Sequence, residues 1–143
     1  MSPDDLFQGA STAALAGWII LLASPLAPVW SARLAGLAIP LVLSVAYTGL
    51  VLAFFSGAEG GFGSLPEVMS LFTQPEIALA GWIHFLAFDL FVGAWIVRRA
   101  REDGVWFAFV IPCLGLTFMF GPAGYLAYSG LRLARAGYLK GRS

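Results

Sequence analysis

The chain has 143 residues, of which 59% are hydrophobic and only 11% are charged. Soluble domains are about 45–50% apolar and about 25% charged, so this composition indicates a membrane protein. Eight basic residues balance eight acids, which argues against a nucleic-acid binder, and the single cysteine excludes an intramolecular disulfide.

The N-terminal third predicts two membrane-spanning helices. Ser2 as cap, Pro3 at the first position and acids in the first turn are typical of a helix start. The first apolar run covers residues 6–23. It lacks the basic start of a secretory signal, so we expect a retained span. The second covers residues 34–55 and contains Pro40, with Ser44 close by as a hydrogen-bonding group.

Residues 56–73 are the least hydrophobic part of the chain. A glycine-rich loop at 57–63 precedes Ser64 and Glu67, whose spacing fits a capping box that opens a short helix to about residue 72. This helix either dips into the membrane edge as a lid or is a solvated connector. Thr73 and Glu76 fit a second capping box, which would open the third span at residues 77–97.

The fourth span is predicted at residues 106–128, followed by an amphipathic extension at 131–139. Pro112 and the Gly121-Pro122 pair indicate a kink in this helix. The predicted fold is therefore all-α and polytopic, with one transmembrane domain over residues 1–143. It has four transmembrane helices, a short helix in the loop between the second and third spans, and a kinked last helix.

The basic residues do not decide the orientation of such a four-span chain, because four lie at each membrane face. If Gly121-Pro122 instead turned the chain back as a re-entrant pair, all eight would share one face. Each limb would then have about 15 residues, short of the roughly 20 that a full span needs. The kinked single span is the preferred interpretation.

The third span carries the titratable residues that are candidates for catalysis. His84 is the only histidine of the chain, and Asp89 lies in the same apolar run. An aspartate at mid-membrane costs about 2.5–3.5 kcal/mol on insertion scales, so it rarely occurs without a partner or a task. An apolar site favours the protonated form of a carboxylic acid, which makes Asp89 a candidate acid and His84 its matching base. The alternative is structural: a hydrogen bond to Tyr47, Thr48 or Trp18, or an ion pair with an arginine.

Helical spacing separates these two groups. At 100° per residue, one narrow stripe holds the imidazole and three aromatic rings: His84, Phe88, Phe91 and Trp95. Trp82 and Asp89 lie on a second stripe about 140° away. The two titratable groups therefore face two different neighbours, unless a local distortion brings them together. The aromatic stripe either suits a flat, conjugated ligand or is ordinary packing between helices. No residue spacing matches a metal site, and no nucleotide-binding motif is present.

Several motifs resemble the abscisic acid deficient four-like membrane family. They are Gly81-Trp82-Ile83-His84, Phe88-Asp89-Leu90-Phe91-Val92-Gly93, Ile111-Pro112-Cys113 and Thr117-Phe118-Met119-Phe120-Gly121-Pro122-Ala123-Gly124. The plant member of that family is required to form neoxanthin from violaxanthin in the plastid envelope. The start of the sequence does not resemble a plastid transit segment, so we expect the chain to be similar to the bacterial branch and to be a multi-pass protein of the bacterial inner membrane.

The resemblance implies a protein that acts on a carotenoid or related isoprenoid lipid, in a redox-neutral acid–base isomerisation without a cofactor. Two alternatives stay open: a non-catalytic carotenoid or lipid binder, or accessory subunit of a pigment enzyme, and, more weakly, a small transporter or proton-relay protein. Small residues at four-residue spacing would pack helices within one chain or in a homo-oligomer. Asp89 and His84 are the predicted catalytic pair. The predicted substrate-binding residues are Trp82, Phe85, Phe88, Phe91, Trp95, Tyr47, Thr117 and Gly121.

Overall fold

The computed structural model describes residues 2–141, which form helices and turns and contain no strand. The α-helices are α1 (Pro3–Leu22), α2 (Pro28–Arg33), α3 (Ile39–Phe54), α4 (Leu65–Phe72), α5 (Pro75–Glu102), α6 (Phe107–Phe120) and α7 (Pro122–Lys140). A π-helical segment, Leu34–Ala38, joins α2 to α3, and a 3₁₀ turn, Phe55–Gly57, follows α3. The prediction of an all-helical fold is confirmed.

Among residues 2–141, three helices are long and apolar enough to cross a membrane: α1, the continuous run Pro28–Gly57, and α5. Helix α6 is apolar but has only 14 residues. Many large apolar side chains point outward, among them Leu26 at 88% and Leu52 at 78% exposure. Such a surface suits lipid rather than water, because hydrocarbon solvates these side chains at no cost.

Two of the predicted helix starts are confirmed in atomic detail. The Ser2 hydroxyl accepts a hydrogen bond from the Asp5 amide at 3.2 Å, and the Asp5 carboxylate accepts one from the Ser2 amide at 2.8 Å. The Ser64 hydroxyl accepts from the Glu67 amide at 3.4 Å and begins α4, but the Glu67 carboxylate accepts from the Gly63 amide at 3.0 Å, so only the Ser64 half of the predicted capping box forms. Each of these polar side chains satisfies an amide that the first helical turn leaves unpaired.

The predicted capping box at Thr73 is wrong. Helix α5 begins after Gln74, without a side-chain cap. The Thr73 hydroxyl donates instead to the Ser70 carbonyl at 2.6 Å, so it closes the end of α4.

The proline of the second span is accommodated without a break. Pro40 has no amide hydrogen, and the preceding turn widens so that the Ile39 amide donates to the Leu34 carbonyl, five residues back. The Ser44 hydroxyl donates to the Pro40 carbonyl at 2.7 Å, as expected of a polar group near this proline.

The predicted single, kinked span at residues 106–128 is also wrong. Helix α6 ends at Gly121, whose φ of +41° and ψ of −90° turn the chain sharply. Helix α7 then runs back beside α6, because the Tyr128 hydroxyl and the Arg132 guanidinium donate to the Asp103 carboxylate at 3.0 and 2.7 Å. Asp103 lies just before α6. The chain therefore forms a helical hairpin, α6–α7, whose two open ends lie together near Asp103.

Close packing at one glycine holds the two limbs of this hairpin together. A Cβ placed on Gly124 would overlap the Thr117 side chain and lie 2.6 Å from the Cys113 carbonyl oxygen. The Thr117 hydroxyl is fully buried and donates to that same carbonyl at 2.7 Å. A small residue at this crossing lets the two backbones approach each other, as in other membrane helix pairs.

The hairpin segregates the charges of the protein. The basic residues of the described chain all lie at the face where α5 ends: Arg33, Arg98, Arg99, Arg101, Arg132, Arg135 and Lys140. Arg142 lies outside the described residues. Five acids lie at the opposite face: Asp4, Asp5, Glu59, Glu67 and Glu76. The tie between the two faces in the four-span interpretation is thereby removed, and by the positive-inside rule we expect the basic face on the cytoplasmic side.

The hairpin predicts termini on opposite sides of the membrane. We expect a C-terminal reporter to lie in the cytoplasm, and reporters at the N-terminus or in the loop at residues 57–63 to lie on the other side. Paired alkaline phosphatase and green fluorescent protein fusions, expressed in a bacterial host, measure this directly. Four complete spans would place both termini on one side, so matching signals at the two ends would contradict the hairpin.

Gly124→Ala is expected to destabilise the protein by about 1–3 kcal/mol, because the added methyl group overpacks the crossing of α6 and α7. Gly130→Ala, on the same helix, is the matched control, since a Cβ there meets nothing within 4 Å. Thermal melting followed by size-exclusion chromatography in detergent compares the two. Equal melting temperatures for both variants would show that the limbs are not packed at Gly124.

The Asp103 cluster predicts a pH dependence of stability. Loss of hydration alone would raise the pKa of Asp103, but the hydrogen bonds from Tyr128 and Arg132 and the charges of Arg132 and Arg99 outweigh it, so the pKa lies below the ordinary 3.8. Because the pKa of Asp103 is lower in the folded than in the unfolded state, its ionised carboxylate stabilises the fold when the pH is above the ordinary pKa of 3.8. This stabilisation is lost as the pH falls through the lowered pKa of the folded state. Asp103→Asn should therefore lower the melting temperature at pH 7, and this difference from the wild type should shrink near pH 3. A difference that is independent of pH would contradict the ionised cluster.

Candidate functional site

Helix α5 carries both predicted catalytic residues and is unbroken from Pro75 to Glu102. No local distortion brings His84 and Asp89 together, so the separation of about 140° around the helix is retained. The alternative in which the two groups face different neighbours is the one found.

His84 lies among aromatic rings. Its imidazole centroid lies 5.5 Å from the ring of Tyr47 on α3, 4.9 Å from Phe88 and 6.0 Å from Phe85. It lines an upper groove of about 430 Å³ between α3, α4 and α5. The groove is almost entirely apolar, and its walls are Tyr47, Val51, Phe55, Phe62, Leu71, Phe72, Ile77, Ala80, Gly81, His84 and Phe85.

A lower groove of about 220 Å³ continues along the same pair of helices. It is lined by Gly36, Leu37, Pro40, Leu41, Ser44, Ala87, Phe88 and Phe91. Phe88 belongs to this groove and contacts His84 of the upper one. We call the two grooves together the α3–α5 track. Along α5 it extends from Ile77 to Phe91, which is about 21 Å at 1.5 Å per residue.

The glycine-rich loop and α4 close the upper end of the track. Phe62 of the loop stacks on Phe55, with ring centroids 5.5 Å apart. Phe72 packs so closely against Gly81 that a Cβ there would lie 2.5 Å from its ring. Leu71 is buried in the same contact region. The short helix therefore packs on α5 at the mouth of the upper groove.

Asp89 lies on the other face of α5, at the tip of the α6–α7 hairpin. A Cβ on Gly121 would overlap the Asp89 carboxylate, whose Cγ would lie 3.2 Å from it. Within residues 2–141, the carboxylate makes no hydrogen bond or ion pair. None of the structural partners considered for it, Tyr47, Thr48, Trp18 or an arginine, bonds to it.

Two phenylalanines lie between the titratable groups. Phe88 is four residues after His84, and Phe85 is four residues before Asp89, so each ring is one helical turn from one of these groups. Phe85 is 59% and Phe88 58% exposed. The imidazole and the carboxyl therefore border one aromatic surface on opposite sides.

The remaining predicted site residues lie away from the track. The Trp82 indole donates to the Ser11 hydroxyl at 3.1 Å and faces α1. Trp95 packs against Tyr125, with ring centroids 5.5 Å apart, and so faces α7. Thr117 is fully buried in the hairpin, where its contacts are structural. The track thus brings together five predicted residues: Tyr47, His84, Phe85, Phe88 and Phe91.

The sequence analysis missed the α3 wall of the track. Ser44 precedes Tyr47 by three residues, Val51 and Phe55 follow it by four and eight, and Pro40 and Leu37 extend the same stripe. This periodicity is readable from the sequence once Tyr47 is chosen as its origin. Phe62 and Phe72 carried no such signal, because their place depends on how the loop folds back.

The comparisons with known proteins identify the family. The ABA DEFICIENT 4-like family model matches residues 5–128, which include α1 to α6 and the first part of α7. No curated protein and no solved structure matches the chain. The match covers the track, Asp89 and the hairpin tip, and the chain belongs to the ABA DEFICIENT 4-like family.

Proposed function

We propose that this protein is a multi-pass membrane protein that binds an elongated isoprenoid of the carotenoid class along the α3–α5 track. The observation that carries the proposal is the arrangement of the track: two apolar grooves follow one another along α5, with His84 of the upper groove in contact with Phe88 of the lower one. A polyene is long, flat and apolar, and aromatic side chains bind such surfaces through offset and edge contacts. Membership of the family is compatible with a role in carotenoid metabolism.

The bound ligand would enter from the bilayer. Phe85, Phe88 and Phe91 are each more than half exposed on the lipid-facing side. A greasy substrate dissolved in lipid then reaches the track sideways, without crossing water. The few polar groups of the track, Tyr47, His84 and Ser44, would set the position of the ligand along it.

The proposed chemistry is a redox-neutral isomerisation of an epoxy-carotenoid, with its cyclic end on the Phe85–Phe88 surface. Asp89, protonated in its apolar surroundings, donates a proton to the epoxide oxygen as the C–O bond breaks. His84 removes a proton from a polyene carbon, and the electron pair of that C–H bond becomes the new C=C bond. Oxygen becomes a hydroxyl, and no electron is gained or lost. His84 then carries one extra proton and Asp89 one fewer, and the pair is reset when each exchanges a proton with water after the product leaves.

A non-catalytic carotenoid binder is the second candidate. The placement of Asp89 against Gly121 favours it, since this carboxyl does not line either groove. In that case the carboxyl serves the hairpin tip, near the N-terminus of α7, where a negative charge is stabilising.

Ligand binding is tested first, by expressing the chain in carotenoid-producing cells and purifying it in mild detergent. We expect an isoprenoid pigment in the extract, detected by absorbance and mass spectrometry. Phe88→Ala should reduce its amount severalfold, because this ring lines the lower groove and contacts His84 of the upper one. Phe109→Ala is the matched control, with the same exposed fraction of 58% on α6, away from the track. Wild-type protein without pigment, or equal loss in both variants, would contradict the track as a binding site.

Catalysis is tested separately by the xanthophyll profile of the same cells. His84→Gln and Asp89→Asn should each lower conversion by about 100-fold or more while pigment still co-purifies, since acid–base groups commonly contribute about 10²–10⁴-fold. Pigment that is retained without conversion by the wild type would support the non-catalytic binder. If the Asp89→Asn protein fails to accumulate in the membrane, the Asp89 carboxyl has a structural role at the hairpin tip.

A further inference from the structure

A second cavity lies outside the track, at the basic face. It has a volume of about 450 Å³ between the end of α5 and the outer part of α7. Its polar walls are Asp103, Ser129, Arg132 and Arg135, and its apolar walls include Val105, Leu133 and Leu139. We infer that this cavity binds the head group of an anionic glycerophospholipid from the cytoplasmic leaflet.

The charge of the cavity is positive despite Asp103. The Asp103 carboxylate is neutralised twice, by Arg132 at 2.7 Å and Arg99 at 3.5 Å. Arg132 bonds to it through Nε, so its two terminal nitrogens remain directed elsewhere. Arg135, three residues further on α7, makes no ion pair within the described chain. Two guanidiniums one turn apart form a fork for a phosphate group.

The position of the cavity selects a lipid over a soluble anion. Leu133 and Leu139 are largely exposed beside the two arginines, which gives the cavity one cationic and one apolar wall. Trp30 and Trp106 lie exposed at the same face, as expected of residues at the membrane–water interface. A phospholipid matches both walls, because its phosphate and its acyl chains are joined in one molecule. Basic recesses between helices at the cytoplasmic side commonly hold such head groups.

The test titrates the detergent-purified full chain with dioleoyl phosphatidylglycerol and counts bound lipids by native mass spectrometry. Dioleoyl phosphatidylcholine, which has the same chains but no net charge, should bind at least tenfold more weakly. Glycerol 3-phosphate supplies the anion without the chains and should not displace the lipid at equal concentration. Displacement by glycerol 3-phosphate would overturn the lipid in favour of a soluble anion.

Arg135→Gln is the test variant, because Arg135 makes no ion pair within the described chain and its replacement should leave the fold stable. It should weaken the first phosphatidylglycerol binding event about fivefold, which corresponds to about 1 kcal/mol for one basic residue near an anionic surface. Arg98→Gln is the matched control, an exposed arginine at the same face that does not line the cavity. Arg135→Lys should restore most of the affinity. Equal losses for Arg135→Gln and Arg98→Gln would show a diffuse charge effect and overturn the site.

Discussion

The crossing of α6 and α7 at Gly124 is the contact on which the rest of the architecture depends. Backbone polar groups cannot be left open in hydrocarbon, so a chain that turns inside a membrane must bury its turn in protein. Here the limbs approach until only a hydrogen fits between Gly124 and Thr117, and the turn at Gly121 lies against α5. The Asp103 carboxylate fixes the other end by bonding to Tyr128 and Arg132. With both ends held, α6 is stable although its 14 residues are too few for a complete span.

This hairpin gives Asp89 its surroundings. From Asp103 back to Asp89 there are 14 residues on α5, about 21 Å, and α6 has the same length, so its tip arrives level with the carboxyl. Gly121 has to be a glycine for two independent reasons, its positive φ and the carboxylate beside its Cα. The acid is thus covered on the hairpin side and borders the exposed Phe85–Phe88 surface on the other. A hydrogen-bonded neutral residue would hold the tip at lower cost, which is why a task for this carboxyl is the more economical interpretation.

Local chemistry was predictable from the sequence, and the path of the last third was not. The caps at Ser2 and Ser64 follow from residue type and spacing within one turn, and the separation of His84 from Asp89 follows from helical geometry alone. Thr73 has the right spacing for a cap, but its hydroxyl has a second acceptor in the Ser70 carbonyl, three residues back. The rule that a span needs roughly 20 residues gave the wrong preference at α6, because it applies to a helix that crosses the whole bilayer and not to one limb of a hairpin. The signals for a turn were present in Gly121, Pro122 and Gly124, yet a kink and a reversal share them, and only the pairing of Asp103 with Arg132 distinguishes the two.

The same pairing links the ligand track to the orientation of the protein. Once α7 returns to the basic face, the acids at the start of α1, in the glycine-rich loop and at the start of α5 face the opposite side without any basic residue among the described ones. The upper groove opens beside that loop, at the acidic end of the helices, while the arginine-lined cavity lies at the basic end. An isoprenoid end group in the upper groove and an anionic lipid at the cavity would therefore lie at opposite ends of the helices. The hairpin tip beside Asp89 and the arginines that line the cavity are carried by one helix, since α7 begins next to Gly121 and holds both Arg132 and Arg135.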